Sequence, residues 1–209
     1  MIIDLHVHTS ALSPCSSLDP DEAVRTARDM GLDGICFTEH GRLWPAADLE
    51  RLSARWGLPV FSGMEVETRE GHMLVFGLQE EVPRILGAGE LREMVDRAGG
   101  AVVYAHPFRG FLLFGFADLQ MTIDEACRRE VFKLVDAAET YSGKSGKKEN
   151  SLAREVCGRL SVPGVGGSDA HSAGEVGKCV TVFKKRIKST GELIHELKKG
   201  EFTACYHNK

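Results

Sequence analysis

The chain opens with the stretch Ile2-Ile3-Asp4-Leu5-His6-Val7-His8, an apolar run that carries two histidines two positions apart. Near the other end, Gly167-Ser168-Asp169-Ala170-His171 places an aspartate and a histidine at the same spacing. In a β-strand, residues i and i+2 point to the same face, so each pair converges on one point. Imidazole and carboxylate groups offer the lone pairs that Zn, Mn or Fe accept. The two stretches therefore predict a metalloenzyme.

Length and composition are those of an ordinary globular protein. The chain has 209 residues, of which 43% are hydrophobic and 27% are charged, and we expect one domain over residues 1–209. The formal net charge of -4 argues against a dedicated nucleic-acid module, although it leaves open a nuclease with a locally basic cleft.

The start of the chain and its cysteines favour a cytoplasmic protein. The first ten residues contain no Lys or Arg, so they do not resemble a secretory leader. The most apolar stretch, 111–119, is too short to span a bilayer, and no membrane association is expected. Six cysteines show no Cys-x-x-Cys spacing and are interpreted as reduced thiols.

Short apolar runs alternate with amphipathic segments along the whole chain, which predicts an α/β fold with a largely parallel sheet. Helices are expected to begin after the capping residues Asp19 and Thr122, the latter with Glu125. Further helices are expected over 47–56, 90–98, 149–160 and 191–199. Strands are expected over 2–7, 34–38, 59–66, 101–105, 134–139, 164–167, 179–183 and 202–206, with 72–78 as a hairpin partner.

Polar side chains gather at strand ends, most of them at carboxyl ends, where barrel-like α/β enzymes place their active sites, whereas His72 opens the hairpin strand. The set comprises His6, His8, Glu39, His40, Glu65, His72, His106, Glu139, Asp169 and His171. Histidines scattered over a core or a surface would not lie preferentially at strand ends. His195 and His207 fall outside the pattern and are expected at the surface.

Six motifs in order resemble the PHP (polymerase and histidinol phosphatase) family of metal-dependent phosphoesterases. They are the segments 4–10, 37–41 (Phe-Thr-Glu-His-Gly), 63–66, 71–77, 105–107 (Ala-His-Pro) and 167–171. The resemblance implies a distorted barrel of seven strand–helix units with mostly parallel strands. It also implies a cleft that holds two or three divalent ions.

The resemblance also implies a ligand set. The first metal would take His6, His8, Glu65 and Asp169, and Glu65 would bridge to a second that also takes His106 and His72. A third would use His40 and His171, but the loop after His8 has Cys15 where members with a third ion usually have His or Asp. Either Cys15 is a ligand or the third site is weak. Asp4 and Glu39 are expected to accept the ring N–H of ligating histidines.

The expected activity is hydrolysis of a phosphomonoester or nucleotide by a hydroxide that bridges two metals. Arg42 and Arg109 are placed to hold phosphoryl oxygens. Asp169 or His171 could relay a proton to the leaving group, and the sequence leaves this choice open.

Three other functions remain open at this point. One is a phosphodiesterase or exonuclease acting on nucleic acid, with Arg69, Lys144, Lys147 and Lys148 as a basic rim. Another is a non-catalytic metal-binding regulatory protein. A third is a carbon–nitrogen hydrolase of the amidohydrolase type, which usually needs a bridging lysine that this chain lacks. The oligomeric state is also open.

Four phenylalanines follow His106, namely Phe108, Phe111, Phe114 and Phe116. They are expected either to pack against the barrel or to form an apolar lid that could stack a base.

Overall fold

The computed structural model describes residues 1–110 and 122–207. Within these residues the chain forms one mixed nine-stranded sheet in the order β7-β6-β5-β4-β3-β2-β1-β8-β9. The strands are β1 (Ile2–Val7), β2 (Gly34–His40), β3 (Val60–Thr68), β4 (Gly71–Phe76), β5 (Ala101–Tyr104), β6 (Ala137–Ser142), β7 (Gly164–Gly167), β8 (Cys179–Phe183) and β9 (Phe202–Tyr206). The helices are α1 (Pro20–Asp29), α2 (Ala46–Trp56), α3 (Ala88–Arg97), α4 (Ile123–Cys127), α5 (Lys147–Leu160) and α6 (Thr190–Lys199).

The predicted α/β barrel class with mostly parallel strands is confirmed. Pairs β1–β2, β2–β3, β5–β6 and β6–β7 are parallel, but β1–β8, β3–β4, β4–β5 and β8–β9 are antiparallel. Seven of the nine strands in the described residues therefore run in the same direction, and β4 and β8 run against them. Only two residues join β3 to β4, and so short a link permits a hairpin but no parallel crossover.

The sheet curves until its two ends nearly meet. Ile3, Leu74, Val103 and Val165 come from four different strands, yet they belong to one buried apolar cluster. At the closing edge, the backbone N–H of Gly166 in β7 donates to a side-chain oxygen of β8 at 2.9 Å. This closure brings the carboxyl end of β7 beside that of β1.

Local sequence signals set where the helices begin. The Asp19 carboxylate accepts from the backbone N–H groups of Asp21 and Glu22, which caps α1 as predicted. Thr122 and Glu125 form the predicted capping box of α4. Strand β6 begins three residues later than expected. The segment Glu130–Lys133 before it forms a 3-10 turn, which buries Val131 and Phe132.

Two further properties follow from the described residues. None of their helices is both long enough and apolar enough to cross a membrane. All six cysteines are free thiols, in agreement with the reduced state expected from their spacing.

Candidate metal centre

The carboxyl end of β1 delivers two fully buried imidazoles to one point. The Nε2 atoms of His6 and His8 lie 3.0 Å apart. The loop after β7 is joined to this end of β1, because the N–H of His8 donates to the carbonyl of Ala170 at 2.9 Å. As a result Asp169 reaches the same point, with its Oδ1 atom 3.3 Å from His8 Nε2 and 3.5 Å from His6 Nε2.

Glu65 lies at the centre of the histidines and is itself buried. Its Oε1 atom is 2.9 Å from His72 Nδ1 and 3.0 Å from His106 Nε2. Its Oε2 atom faces the other group, at 3.2 Å from His8 Nε2 and 3.1 Å from His40 Nδ1. The two carboxylate oxygens therefore face two different groups of histidines.

The donor atoms fall into three overlapping groups, each of which fits a divalent metal. Within each group the ligand atoms all lie within 4.8 Å of one another. The groups are His6 with His8 and Asp169, His6 with Glu65 and His106, and His8 with His40 and His171. Neutral imidazoles combined with carboxylates suit Zn, Mn or Fe. His72 is in none of these three groups, but it contacts Glu65 at 2.9 Å, and the centre of its ring lies 5.2 Å from that of the His106 ring.

Glu139 is the partner of His6 that the sequence analysis did not assign. It was recognised only as a polar residue at a strand end, yet its Oε1 atom accepts from His6 Nδ1 at 2.8 Å. Its Oε2 atom accepts from the backbone N–H of His106 at 2.9 Å. Glu139 thus fixes the ring orientation of one candidate ligand and the backbone of another. Its place at the carboxyl end of a strand was the available signal.

Two candidate ligands occupy backbone conformations that most side chains avoid. His106 has φ +27° and Asp169 has φ +54°. Positive φ values of this kind are uncommon outside glycine and cluster at functional sites. At His106 the hydrogen bond from the backbone to Glu139 helps to hold the conformation.

The electrostatics of the cluster favour charged groups in spite of burial. Burial alone would raise the pKa of Glu65, but His6 and hydrogen bonds from His106 and His40 hold it well below its usual range. Burial likewise opposes ionisation of Asp169, whose pKa is nevertheless kept low by His6, His8 and Arg109. Burial disfavours a charged His6, but Asp169, Glu139 and Glu65 raise its pKa well above the ordinary value. These shifts favour ionised carboxylates at Glu65 and Asp169 and a charged imidazole at His6.

The two arginines expected to hold a phosphoryl group differ in position. Arg109 contacts Oδ2 of Asp169 directly, so its guanidinium lies at the edge of the cluster. Arg42 is more than half exposed, and its described charged neighbour is Glu81, at 3.9 Å. The structure brings Arg109 to the cluster but not Arg42.

Asp4 and Glu39 do not have the expected contacts with histidine rings. Asp4 is buried and accepts from the backbone N–H groups of Ser168 and Gly177, both at 2.8 Å. Glu39 accepts from the Thr9 hydroxyl at 2.6 Å and from Trp44 Nε1 at 2.8 Å. The expectation is wrong for both residues, because neighbouring loops rather than imidazoles supply their donors. Both carboxylates hold the loops that carry the ligands.

The loop after His8 places a hydroxyl group, rather than the Cys15 thiol, beside the cluster of histidines. Ser13 is fully buried, lies 3.3 Å from His8 Nδ1 and donates to Glu39. Cys15 is exposed and belongs to none of the three ligand groups formed by the described residues. The structure therefore does not support Cys15 as a ligand.

The remaining predicted features lie elsewhere. Phe108 is buried, in agreement with packing against the barrel, whereas Phe111, Phe114 and Phe116 lie outside the described residues. In the expected basic rim, Lys144 forms an ion pair with Glu175 at 2.9 Å. His195 is exposed on α6, as expected. The Nε2 atom of His207 is instead 3.0 Å from a backbone carbonyl of the loop after α1.

Comparisons with known proteins support this picture. A family model described as PHP-associated matches residues 147–202. An uncharacterised protein of Methanocaldococcus jannaschii is 26% identical over 117 residues, which are 52% of this chain and 68% of that protein.

Solved structures of low sequence identity share the fold. One is a two-domain protein of Bacteroides vulgatus, whose description names a predicted PHP-like metal-dependent phosphoesterase, with a TM-score of 0.70 and 20% identity. The match covers 99% of this chain but only 65% of that protein, so this chain spans about two thirds of its length. An amidohydrolase of Chromobacterium violaceum with bound sulfate has a TM-score of 0.67 and 16% identity, with 99% and 98% of the two chains covered.

The barrel is of the type found in PHP-like proteins. The ordered motifs and the PHP-associated match over residues 147–202 support a relationship of this chain to the PHP family.

Proposed function

We propose that this protein is a metal-dependent phosphoesterase that hydrolyses a phosphomonoester or a nucleotide. The observation that carries the proposal is the position of Glu65, whose two oxygens face separate groups of histidines within 3.2 Å. A carboxylate in this position is suited to join two metal sites. Divalent ions bound there would supply a polarised phosphoryl oxygen and a water molecule of lowered pKa.

The residues around the cluster have complementary roles in this proposal. His6, His8, Glu65 and Asp169 would hold the first ion, His106 and His72 with Glu65 the second, and His40 with His171 a third. Glu139 would keep the His6 ring oriented through its Nδ1–H. The ions would be Zn, Mn or Fe, in two or three copies.

Arg109 would act on the substrate itself, and so would His171 when no third ion is bound to it. The planar guanidinium of Arg109 can hold two non-bridging oxygens of a phosphoryl group, because its contact with Asp169 already places it at the cluster edge. Between the two candidates for proton transfer we favour His171. Burial lowers the pKa of His171, so its charged form gives up a proton more readily, whereas the lowered pKa of Asp169 favours the carboxylate, which has no proton to donate.

The substrate is proposed to be a small phosphoester. The net charge of -4 supports this choice, and so does the ion pair that neutralises Lys144 in the expected basic rim. Hydrolysis of nucleic acid by a phosphodiesterase would instead show activity on oligonucleotides that weakens steeply with salt.

The test is metal-dependent release of phosphate. Metal-depleted protein would be supplied with Mn or Zn and tested on phosphomonoesters, dinucleotides, short oligonucleotides and simple amides. The variant Glu65→Gln should lower phosphate release by about a hundredfold or more, since it removes the charge shared by both sites. His195→Ala, on exposed helix α6, is the matched control. Metal-dependent hydrolysis that survives Glu65→Gln would contradict the proposal, and cleavage of amides alone would favour an amidohydrolase.

A further inference from the structure

A cavity lies directly beside the second group of ligands. It has a volume of about 310 Å³ and is lined by residues of the β3–β4 turn, the end of β5 and the segments after it. His72 and His106 form part of its wall, together with Arg109 and Arg129. Since both histidines belong to the metal cluster, a molecule in the cavity would lie next to the reacting group. The volume suits a small ligand or one part of it.

Arg129 is held rigidly in the wall of this cavity. Its Nη1 donates to the carbonyl of Pro107 at 3.2 Å, and its Nη2 donates to the carbonyl of Glu70 at 3.2 Å and to the Tyr104 hydroxyl. The guanidinium carbon lies 5.4 Å from the centre of the Tyr104 ring and 5.9 Å from that of Phe108. Because these contacts already fix the guanidinium, binding of a ligand would cost little conformational entropy of the Arg129 side chain.

No carboxylate among the described residues neutralises Arg129. Its hydrogen-bond acceptors are carbonyls and a hydroxyl, whereas Arg109, in the same wall, forms an ion pair with Asp169. The carboxylate of Glu70, which also lines the cavity, accepts from the backbone N–H of Ala88 at 2.8 Å. A guanidinium has five N–H donors, and only three have described acceptors here. The wall of the cavity therefore carries a fixed guanidinium that no described carboxylate neutralises.

Gly71 shows that the wall is closely built around this arginine. It has φ +129°, and a Cβ atom at this position would lie 2.9 Å from the Tyr104 ring. Only glycine allows the Tyr104 ring to reach its position, where its hydroxyl donates to the carbonyl of Glu70 and supports Arg129.

We propose that this cavity binds a second anionic group of the substrate, on the leaving-group side of the scissile phosphate, and that Arg129 recognises it. The substrate would then be a phosphoester whose alcohol carries a carboxylate or a further phosphate, both of which a guanidinium binds through charge-assisted hydrogen bonds. This inference rests on the proposed phosphoesterase function and narrows its substrate class.

The first test compares three probes on the wild-type protein loaded with Mn or Zn. Glycerol phosphate has a neutral leaving group, phosphoglycerate has a carboxylate on it, and a glycerol bisphosphate has a phosphate. We expect kcat/KM to be about tenfold to a hundredfold higher for one or both anionic probes, the range of one charge-assisted hydrogen-bonding group. The better of the two identifies the anion. Equal values for all three probes would overturn the inference without any variant.

The second test assigns the preference to Arg129. Arg129→Gln should lower kcat/KM for the anionic probe toward the value for glycerol phosphate, mainly through KM, and should lower hydrolysis of glycerol phosphate far less. Arg129→Lys keeps the charge and should retain part of the preference. Arg128→Gln, at the exposed neighbouring position, is the matched control.

The outcomes separate the two proposals. A wild-type protein that hydrolyses no phosphoester refutes the proposed function. A preference for anionic probes that survives Arg129→Gln refutes the role of Arg129 alone. If Arg129→Gln does not fold, the Arg129→Lys variant provides the test. A preference for anionic probes and a KM that both equal the wild-type values in Arg129→Lys would exclude recognition by the planar guanidinium.

Discussion

Replacing Gly167 by alanine should weaken both the fold and metal binding, because β7 approaches β1 too closely for a side chain at this position. A Cβ atom there would lie 2.6 Å from the Cβ atom of His6 and 2.7 Å from Oε1 of Glu139. Neither neighbour can easily move, since both are buried and hydrogen-bonded to each other. The change therefore acts on the strand closure and on a candidate ligand at once.

The magnitude follows from the cost of overpacking a buried site, about 1–3 kcal/mol. For a protein of 209 residues this lowers Tm by about 2–12 °C. Displacement of His6 and its partner should also weaken metal binding by about tenfold or more. Thermal unfolding of the metal-depleted protein, followed by circular dichroism, and a calorimetric metal titration measure the two effects.

Gly158 provides the matched control. It is an exposed residue inside α5, and a Cβ atom there would meet nothing within 4 Å. Because alanine favours helix over glycine, Gly158→Ala should stabilise the protein by about 0.5–1 kcal/mol. The reasoning is refuted if Gly167→Ala leaves both Tm and metal affinity at their wild-type values.

Three further predictions concern the metal centre. Glu139→Gln should weaken metal binding by about 10–100-fold, because it removes the charged acceptor that orients His6. Calorimetric metal titration measures the affinity, with Glu155→Gln as the control. Equal metal affinities of the two variants would exclude a role of Glu139 in orienting His6. Metal binding should release protons, because the raised pKa of His6 favours its charged form and an imidazole must be neutral to bind a metal. The stability that this proton contributes is present below the unfolded pKa of His6 and is lost as pH rises through its raised folded value, so metal affinity should increase with pH over that range. Titrations in two buffers of different ionisation enthalpy count the protons, and an affinity that does not change with pH would contradict the argument. Finally, Cys15→Ser should leave metal stoichiometry and affinity unchanged, and loss of an ion by analytical metal determination would restore Cys15 as a ligand.

Much of the local structure could be predicted because its causes are local. Asp19 caps α1 through hydrogen bonds to residues two and three positions away, and the capping box of Thr122 and Glu125 acts over the same short range. The antiparallel β3–β4 hairpin was visible in the same way from the short link between its strands. The start of β6 was missed because a 3-10 turn over Glu130–Lys133 precedes it, and burial of Val131 and Phe132 in that turn depends on distant neighbours.

The partners of the polar residues could be predicted only in part. The convergence of His6 with His8 follows from strand periodicity, which a single segment determines. Asp4 and Glu139 illustrate the opposite case. Both are acidic residues inside strands, yet Glu139 accepts from the His6 ring, 133 positions away in the chain, whereas Asp4 accepts from backbone N–H groups of the distant β7–β8 segment. Predicting which of these two carboxylates contacts an imidazole requires knowing how β6 and β7 lie against β1.

The sequence by itself determined the α/β class, the order of the elements and which histidines and carboxylates gather at the carboxyl ends of strands, since periodicity, capping and motif spacing are properties of short segments. The tertiary structure decided which oxygen of Glu65 faces which histidine, that Glu139 supports His6, that Arg109 rather than Arg42 reaches the cluster, and that Arg129 faces a cavity without a carboxylate partner. These relations depend on curvature of the sheet and on contacts between residues far apart in the chain. Packing of the whole barrel fixes such distances to fractions of an ångström, and no single segment contains that information.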